Sequence, residues 1–353
     1  MTTCERPAPA NDARSLRVAM VGAGMISRFH LRAWRNTPGV DLVAIVDPDA
    51  ARRDQRGDEF GIACRCSTLD ELLATVTVDA VDIATPRETH GPLIDRAAAA
   101  GLAILCQKPL VPTLDDAEVL VARLDRDVRL MVNQNFRFRP HYQQIRRWID
   151  DGRLGEIRGA TISCRSSGLL RDAGGRYPAI ERQPFIRTEA RMLIEEVLIH
   201  RIDAARWLFG PLELVGAATA RSCPELVGES EATMLFRNPV CGSPVVVDGN
   251  LASAGYPPLS QDRVELIGTR ARVMLDHHVL RLFGPEELTI AYDYPVAFQQ
   301  GFDGVARHFV ECLRSGARFL TDPRDNLETL RLVEAAYRAA DRHPAAGRPA
   351  TPA

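Results

Sequence analysis

The chain has 353 residues, and its 44 lysines and arginines against 46 aspartates and glutamates leave a formal charge of −2. Without a basic excess, we expect no binding to nucleic acid. No apolar run approaches the ~20 residues of a membrane helix, and residues 1–13 lack the apolar core of a signal peptide, so we expect a cytoplasmic protein without a membrane segment. The length predicts two domains of ordinary size.

Strands and helices alternate through the first part of the chain. Buried strands are predicted at 16–21, 40–46, 80–84, 102–106 and 129–132, and helices at 25–36, 49–60, 88–100 and from 113 onward. This alternation is typical of βαβ units, so it predicts an α/β domain with a doubly wound parallel sheet. We place this domain at residues 14–134.

The pattern changes after Pro140 to longer segments of alternating polarity. Strands are predicted at 157–165, 212–220, 231–236, 245–253, 262–268, 271–275, 279–283 and 288–292, with helices at 141–151, 191–209, 302–315 and 325–342. The alternation favours an open, mostly antiparallel sheet with one covered face. We therefore predict a second α/β domain at residues 135–345.

A glycine turn joins the first strand to the first helix. Gly22 and Gly24, followed by Met25 and Ile26, form the start of a G-x-G-x-x-G pattern in which Ser27 takes the place of the third glycine. Two glycines permit a tight turn and a close backbone approach to a pyrophosphate. Because the turn follows a strand and opens a helix, it predicts dinucleotide binding.

Asp47 ends the second strand, where a ribose-binding carboxylate is expected in such a domain. A carboxylate accepts hydrogen bonds from both ribose hydroxyls and repels a 2′-phosphate. Arg52 and Arg53 lie further along the helix and are interpreted as solvated. The sequence therefore favours NAD over NADP.

Further candidates follow other strands of the parallel sheet. Lys108 ends the strand at 102–106 within the segment CQKPL, and Thr85, Pro86 and His90 follow the strand at 80–84. Ligands bind outside the carboxyl ends of strands in such sheets, so these side chains are predicted to face one crevice. A surface lysine at a strand end is the alternative for Lys108.

Glu196, His200 and Asp203 share one stripe of a predicted helix, whereas Glu195 lies off it. A carboxylate one turn from a histidine can orient the imidazole for moving a hydroxyl proton. A buried structural cluster and a metal site are alternatives. Since the C-x-C pair Cys64 and Cys66 also lacks partners at zinc spacing, we expect no metal.

Asn135 lies between the two predicted domains in a segment rich in amides and arginines, where it is a candidate for binding cofactor or substrate. Linker packing is the alternative. Arg165, at the end of the first strand of the second domain, is a further substrate-binding candidate.

Together these residues resemble the Gfo/Idh/MocA family of oxidoreductases over nearly the whole chain. The resemblance rests on VGAGMISRFHLRAW, IVDPDA, IATPRETH, CQKPL, NFRFRP, HRIDAARWLFG and VELIGTRARVML. It implies an N-terminal Rossmann domain, and a C-terminal sheet through which members commonly form homodimers or homotetramers. It also implies oxidation of a sugar or polyol hydroxyl, with Lys108, Glu196 and His200 in the family's catalytic positions.

Three departures from the family pattern stand out. Gln107 replaces a glutamate before the lysine, Glu196 replaces an aspartate, and 190–193 replace a glycine-rich stretch. These variants resemble a branch that includes D-apiose dehydrogenase-like proteins, which implies a small aldose substrate oxidised to its lactone.

The mechanism that this implies has His200 remove the hydroxyl proton while Lys108 binds the same oxygen. The reverse assignment, with Lys108 as the base, stays open. Two other functions also stay open: a dinucleotide-sensing regulator without turnover, and a reductase of a carbonyl or imine on a sugar derivative.

Overall fold

The computed structural model describes residues 14–125 and 127–341. The predicted leader at 1–13 and the last residues of the predicted second domain, 342–345, lie outside this part of the chain. No helix in the described part is long and apolar enough to cross a membrane.

The first half forms the predicted doubly wound parallel sheet. Its strands are β1 Leu16–Val21, β2 Val40–Val46, β3 Cys64–Cys66, β4 Ala80–Ile83, β5 Ala103–Gln107 and β6 Leu130–Asn133. They lie in the order β3-β2-β1-β4-β5-β6, and all neighbours are parallel. The order reverses between β1 and β4, which places a crevice at the carboxyl ends of these two strands.

Three of the five α-helices described in this domain begin at a side chain that caps them. The five helices are α1 Ser27–Arg35, α2 Ala50–Glu59, α3 Leu69–Thr75, α4 His90–Ala99 and α5 Leu114–Arg123. Asp49, Thr68 and Thr113 each accept a hydrogen bond from a backbone amide of the first turn, which satisfies an otherwise unpaired donor. The strand β3 and the helix α3 are absent from the sequence prediction.

The second half forms the predicted open sheet of eight strands. They are β7 Ile157–Arg165, β8 Glu213–Ala220, β9 Glu231–Arg237, β10 Pro244–Asn250, β11 Gln261–Gly268, β12 Arg272–Asp276, β13 Val279–Phe283 and β14 Leu288–Ala291. The order is β14-β13-β12-β11-β7-β10-β9-β8, with only β10 and β7 parallel. Alternate residues such as Ile162 and Val264 enter the core, so the opposite face of the sheet stays open.

Among the described residues, five α-helices accompany this sheet, and two of them return to the first domain. They are α6 Pro140–Asp150, α7 Pro178–Arg182, α8 Ile199–Phe209, α9 Tyr294–Ser315 and α10 Pro323–Asp341. Phe302, Val305 and Phe309 of α9 share a buried cluster with Val18 and Met131 of the parallel sheet. The C-terminal segment thus covers one face of the N-terminal sheet, and the two halves are joined by more than the linker.

Candidate active site

The glycine turn has the shape that its sequence predicts. Gly22 has a φ of +106°, and a Cβ there would lie 2.4 Å from the carbonyl oxygen of Ala84. At Gly24, by contrast, a Cβ would meet no atom within 4 Å, so this side of the turn is open. Ser27, in the third glycine position, is buried and donates from Oγ to the Gly24 carbonyl at 2.7 Å. The turn therefore leaves room for a pyrophosphate against its backbone.

Asp47 lies beside this turn. Its Oδ2 accepts from the Ala23 amide at 2.7 Å and its Oδ1 from the Asp49 amide at 2.8 Å. Arg53 is partly buried rather than solvated, because its Nη1 donates to the Asp47 carbonyl at 3.3 Å. Met25 is 52% exposed and Ile26 partly exposed at the mouth of the turn. These residues fit a dinucleotide whose ribose hydroxyls meet the Asp47 carboxylate.

Lys108 reaches from the carboxyl edge of the parallel sheet to the second domain. Its Nζ donates to the Glu196 carbonyl oxygen at 2.8 Å and to Glu196 Oε2 at 3.0 Å. An ammonium group has three N–H donors, so one remains for a ligand. Gln107 supports this arrangement, because its Oε1 accepts from the Lys108 amide at 2.8 Å. The structure thus brings together two residues that are 88 positions apart.

The composition of the chain singles out the same residue. Among the 44 lysines and arginines of the sequence, Lys108 is the only lysine. An ammonium is a compact donor that can also release its proton, whereas a guanidinium stays charged and planar. A chain that uses arginine everywhere else keeps a lysine at this edge of the sheet, a signal that the position of the residue alone does not contain.

Arg87 is a functional candidate that the sequence did not lead us to predict. It follows Thr85 and Pro86 in a 3-10 turn after β4, and its guanidinium donates to Glu196 Oε1 at 2.7 Å and to Glu195 Oε1 at 2.9 Å. It also pairs with Glu189. Its place after a parallel strand, as with Lys108, is the signal that could have identified it.

The segment that carries Glu196 and His200 is not the regular helix that the sequence predicts. A π turn at Leu193–Leu198 precedes α8, and the carbonyls of Glu196 and Val197 accept hydrogen bonds from the side chains of Lys108 and Arg201. In an α-helix such carbonyls bond to amides four residues on. π turns of this kind are frequent at functional sites.

Glu196, His200 and Asp203 therefore have three different sets of partners. Asp203 is fully buried and pairs with Arg137, as in the structural alternative. His200 Nδ1 lies 3.0 Å from Gln134 Oε1, so Gln134 rather than Glu196 orients the imidazole. This corrects the expectation that the neighbouring carboxylate does so, because Glu196 is engaged by Lys108 and Arg87.

The imidazole of His200 is packed against the segment between the domains. Its ring stacks on Phe136 with centroids 4.7 Å apart and an interplanar angle of 4°. Burial, together with the positive charges of Lys108, Arg139 and Arg201, lowers the pKa of His200 well below its usual value. The ring is therefore neutral near pH 7 and able to accept a proton.

The two neighbouring glutamates have opposite electrostatic properties. Burial raises the pKa of Glu195 to about 7, although Arg87 and Arg191 act against it. Burial also acts to raise the pKa of Glu196, but Lys108 and Arg87 outweigh it and lower this pKa below its usual value. Glu196 is thus a carboxylate at neutral pH, whereas Glu195 is close to its own titration midpoint.

The remaining candidates lie at different depths. Thr85 and Pro86 are on the surface of the crevice, beside Gly22. His90 is buried, with Nε2 at 3.0 Å from the Thr85 carbonyl and Nδ1 at 3.0 Å from the Pro109 carbonyl. It therefore links the loop that carries Thr85 to the loop that follows Lys108. Asn135 is buried next to α9, and its Oδ1 has no hydrogen-bond partner within the described residues.

Arg165 is away from this site within one chain, which corrects its selection as a substrate-binding residue. Its neighbour Cys164 enters the core, so Arg165 projects from the open face of the second sheet. There it pairs with Asp248 of the adjacent strand β10. The alternation of side chains along a strand separates it from Glu196 and His200.

Comparisons with known proteins agree with this architecture. Residues 16–134 match the oxidoreductase family with an NAD-binding Rossmann fold, and residues 142–274 match the GFO/IDH/MocA C-terminal domain. The chain is 34% identical to D-apiose dehydrogenase of Paraburkholderia graminis, covering 94% of this chain and 90% of that protein. It is 28% identical to inositol 2-dehydrogenase of Rhizobium meliloti, covering 92% and 97%.

A solved structure is similar over the same length. An oxidoreductase from Agrobacterium radiobacter, in complex with NAD+, L-tartaric acid and magnesium, superposes with a TM-score of 0.84 at 30% identity, covering 93% of this chain and 96% of that one. With both family domains matched in order and a relative above 30% identity over nearly all of the chain, this protein belongs to the GFO/IDH/MocA family of NAD-binding oxidoreductases.

Proposed function

We propose that this protein is an NAD-dependent dehydrogenase that oxidises a hydroxyl group of a small sugar or polyol. The observation that carries the proposal is the meeting of Lys108, Glu196 and His200 beside a dinucleotide-type glycine turn. Relatives named D-apiose dehydrogenase and inositol 2-dehydrogenase support this substrate class. A small aldose such as D-apiose, oxidised to its lactone, is the first substrate to test.

His200 is the proposed base. The oxygen of Gln134 can only accept a hydrogen bond, so Nδ1 of the ring carries the proton and Nε2 keeps its lone pair. Nε2 makes no hydrogen bond within residues 14–125 and 127–341, which leaves it available to a substrate hydroxyl. The hydroxyl proton passes to Nε2 as the C–H bond breaks.

Lys108 is proposed to hold the reacting oxygen. Its ion-paired ammonium has no lone pair, and two of its N–H groups are engaged by Glu196. The remaining N–H can donate to the substrate oxygen and stabilise negative charge as the proton leaves. This division of roles favours His200 over Lys108 as the base.

The cofactor would be held by Gly22, Gly24 and Asp47, with Thr85 and Pro86 at the wall of the crevice. When bound, NAD supplies the acceptor for the hydride that leaves the substrate carbon. The Asp47 carboxylate favours the two ribose hydroxyls of NAD over a 2′-phosphate.

The test is a screen of aldoses, inositols and sugar acids with NAD+ and NADP+, following the absorbance of the reduced cofactor. Lys108→Ala and His200→Ala should each lower turnover of the best substrate by about 10² or more while NADH still binds. Turnover that survives in both variants would contradict the mechanism. NADH oxidation by a carbonyl panel alone would identify a reductase, and binding without any turnover would identify a sensor.

We also propose that a second copy of the chain covers the open face of the second sheet. Val215, Leu235 and Ile267 project from this face with exposures of 61%, 37% and 50%. Apolar side chains exposed in this way on an open sheet face favour association with another surface. Leu235→Glu should lower the mass measured by light scattering, whereas Val240→Glu, in the hairpin beyond the face, should leave it unchanged; a monomeric wild-type protein would contradict the proposal.

A further inference from the structure

Arg87 stands at the centre of an ion cluster that joins the two domains. Its guanidinium belongs to the first domain, and besides its exposed neighbour Glu88 it contacts three glutamates of the second domain, Glu189, Glu195 and Glu196. The Arg87 side chain is 17% exposed and that of Glu195 only 6%, so these charges are largely removed from water. In such surroundings a paired charge is held firmly, and an unpaired one is costly.

The contacts to Glu196 are divided between two cations. Its Oε1 accepts from Arg87 at 2.7 Å, and its Oε2 accepts from Lys108 at 3.0 Å. With a different cation on each oxygen, the carboxylate cannot rotate without breaking one pair. The direction of the Lys108 ammonium therefore depends on where Arg87 holds the other side of this carboxylate.

We propose that Arg87 is a positioning residue for the reaction, which acts through the Glu196 carboxylate to fix the ammonium of Lys108. Arg87 itself need not touch the substrate, because its Nη1 is engaged by Glu195 and Glu196 and its Nη2 by Glu189. The inference rests on the proposed function for its catalytic meaning, although its structural part concerns Lys108 alone.

The length of Glu196 is part of this arrangement. The carboxylate of a glutamate stands one methylene further from the backbone than that of an aspartate. This extra reach lets Glu196 contact Arg87 while its own carbonyl and Oε2 stay bonded to Lys108. Arg87 and Glu196 are thus expected to act as one unit rather than independently.

A first experiment uses the single lysine of the chain. An amine-reactive acetylating reagent modifies only Lys108 and the terminal amine, and peptide mass spectrometry separates the two. In Arg87→Met, Lys108 should react at least about threefold faster than in the wild-type protein, because the Glu196 carboxylate, released on its Arg87 side, holds the ammonium less firmly. Arg191→Met is the matched control, since Arg191 contacts Glu195 and Glu334 and should leave the rate unchanged.

A second experiment measures turnover with a substrate found in the screen. Arg87→Met should lower kcat by at least about tenfold with little change in NADH affinity, because a small misplacement of a catalytic group is costly. The acid limb of its kcat profile should move to higher pH, since loss of the Arg87 cation raises the pKa of the nearby carboxyl groups. The double variant Arg87→Met, Glu196→Gln should be no slower than the slower single variant.

The two readouts separate this inference from the proposed function. Unchanged Lys108 reactivity in Arg87→Met, at unchanged melting temperature, would overturn the inference even in an active enzyme. Independent, multiplying losses of kcat in the double variant would also overturn it. Faster acetylation of Lys108 in a protein that turns over no sugar or polyol would support the positioning role of Arg87 and contradict the proposed dehydrogenase function.

Discussion

The imidazole of His200 is oriented by Gln134, whose side-chain oxygen lies 3.0 Å from Nδ1. The two residues come from different domains, and Gln134 is fully buried. The amide sets which ring nitrogen carries the proton without adding a charge. Burial and the charges of Lys108, Arg139 and Arg201 lower the pKa of His200, and Gln134 adds no negative charge to oppose them, in contrast to the carboxylate partner found in many histidine-dependent enzymes.

Gln134→Glu should therefore move the acid limb of kcat/KM to higher pH by about one unit, because a carboxylate at this distance stabilises the imidazolium and raises the pKa of His200. The measurement is the pH dependence of kcat/KM. Gln144→Glu, on the surface of α6, is the matched control and should leave the profile in place. An unmoved limb in Gln134→Glu would mean that His200 is not the titrating base.

Gly22 and Gly24 should respond differently to the same change. Gly22→Ala should destabilise the protein by about 3 kcal/mol, because an L side chain at positive φ is strained and would clash with the Ala84 carbonyl. Gly24→Ala should leave the melting temperature almost unchanged but weaken NADH binding at least about tenfold, since the methyl group would enter the open space of the turn. Thermal unfolding and NADH titration check both. Unimpaired NADH binding in Gly24→Ala would place the pyrophosphate elsewhere.

Asp47→Ser should lower the preference for NAD+ over NADP+ by at least about tenfold, because it removes the repulsion of a 2′-phosphate. Arg53, 3.3 Å from the Asp47 carbonyl, is close enough to favour the phosphate once the carboxylate is gone. The ratio of kcat/KM values for the two cofactors is the measurement. Asp49→Ser keeps a residue suited to capping α2 and should not change this ratio.

Glu195 gives a pH-dependent contribution to stability. In the unfolded chain it ionises near 4.5, whereas in the folded protein burial raises its pKa to about 7. Folding therefore favours the protonated form, and stability from this group is lost as the pH rises from the lower value through the upper one. Relative to wild type, Glu195→Gln should gain about 3 kcal/mol of unfolding free energy between pH 4.5 and 8.

Denaturant unfolding at several pH values measures this gain. Glu88→Gln is the control, because Glu88 also contacts Arg87 but is 63% exposed, and it should show no such trend. Parallel pH profiles for the two variants would contradict the buried, proton-binding state of Glu195.

The alternation of apolar residues was enough to predict both sheets, but not the elements that depend on tertiary contacts. The strand β3 has only three residues, too few for a periodic signal. The helix α9 begins at Tyr294, eight residues before the predicted start at Phe302; Gly301, a poor helix former, stands directly before that predicted start and Gly304 just inside it. In the structure they allow close packing against Asn135 and Phe138, where a Cβ would stand about 3 Å from its neighbours.

In the candidate site, too, local patterns predicted some features, whereas those that depend on tertiary contacts were missed. Position after a parallel strand identified Lys108, and helical spacing identified Glu196 and His200. The residues that contact them, Arg87 and Gln134, depend on how the two domains pack together, and no local sequence pattern contains this information. Arg165 is a different case, since the buried alternation through Cys164 already assigns it to the other face of its strand.

The segment at 134–139 determines where domains can be exchanged between related proteins. A junction at the predicted boundary, between residues 134 and 135, would take Gln134 from one parent and Phe136 from the other, although both contact the same histidine. A chimera made there would alter the support of His200 on one side only. A junction placed after Arg139 would keep both contacts from one parent, but α9 of the other parent would still have to fit the first sheet. The N-terminal and C-terminal halves should therefore be kept from the same parent protein.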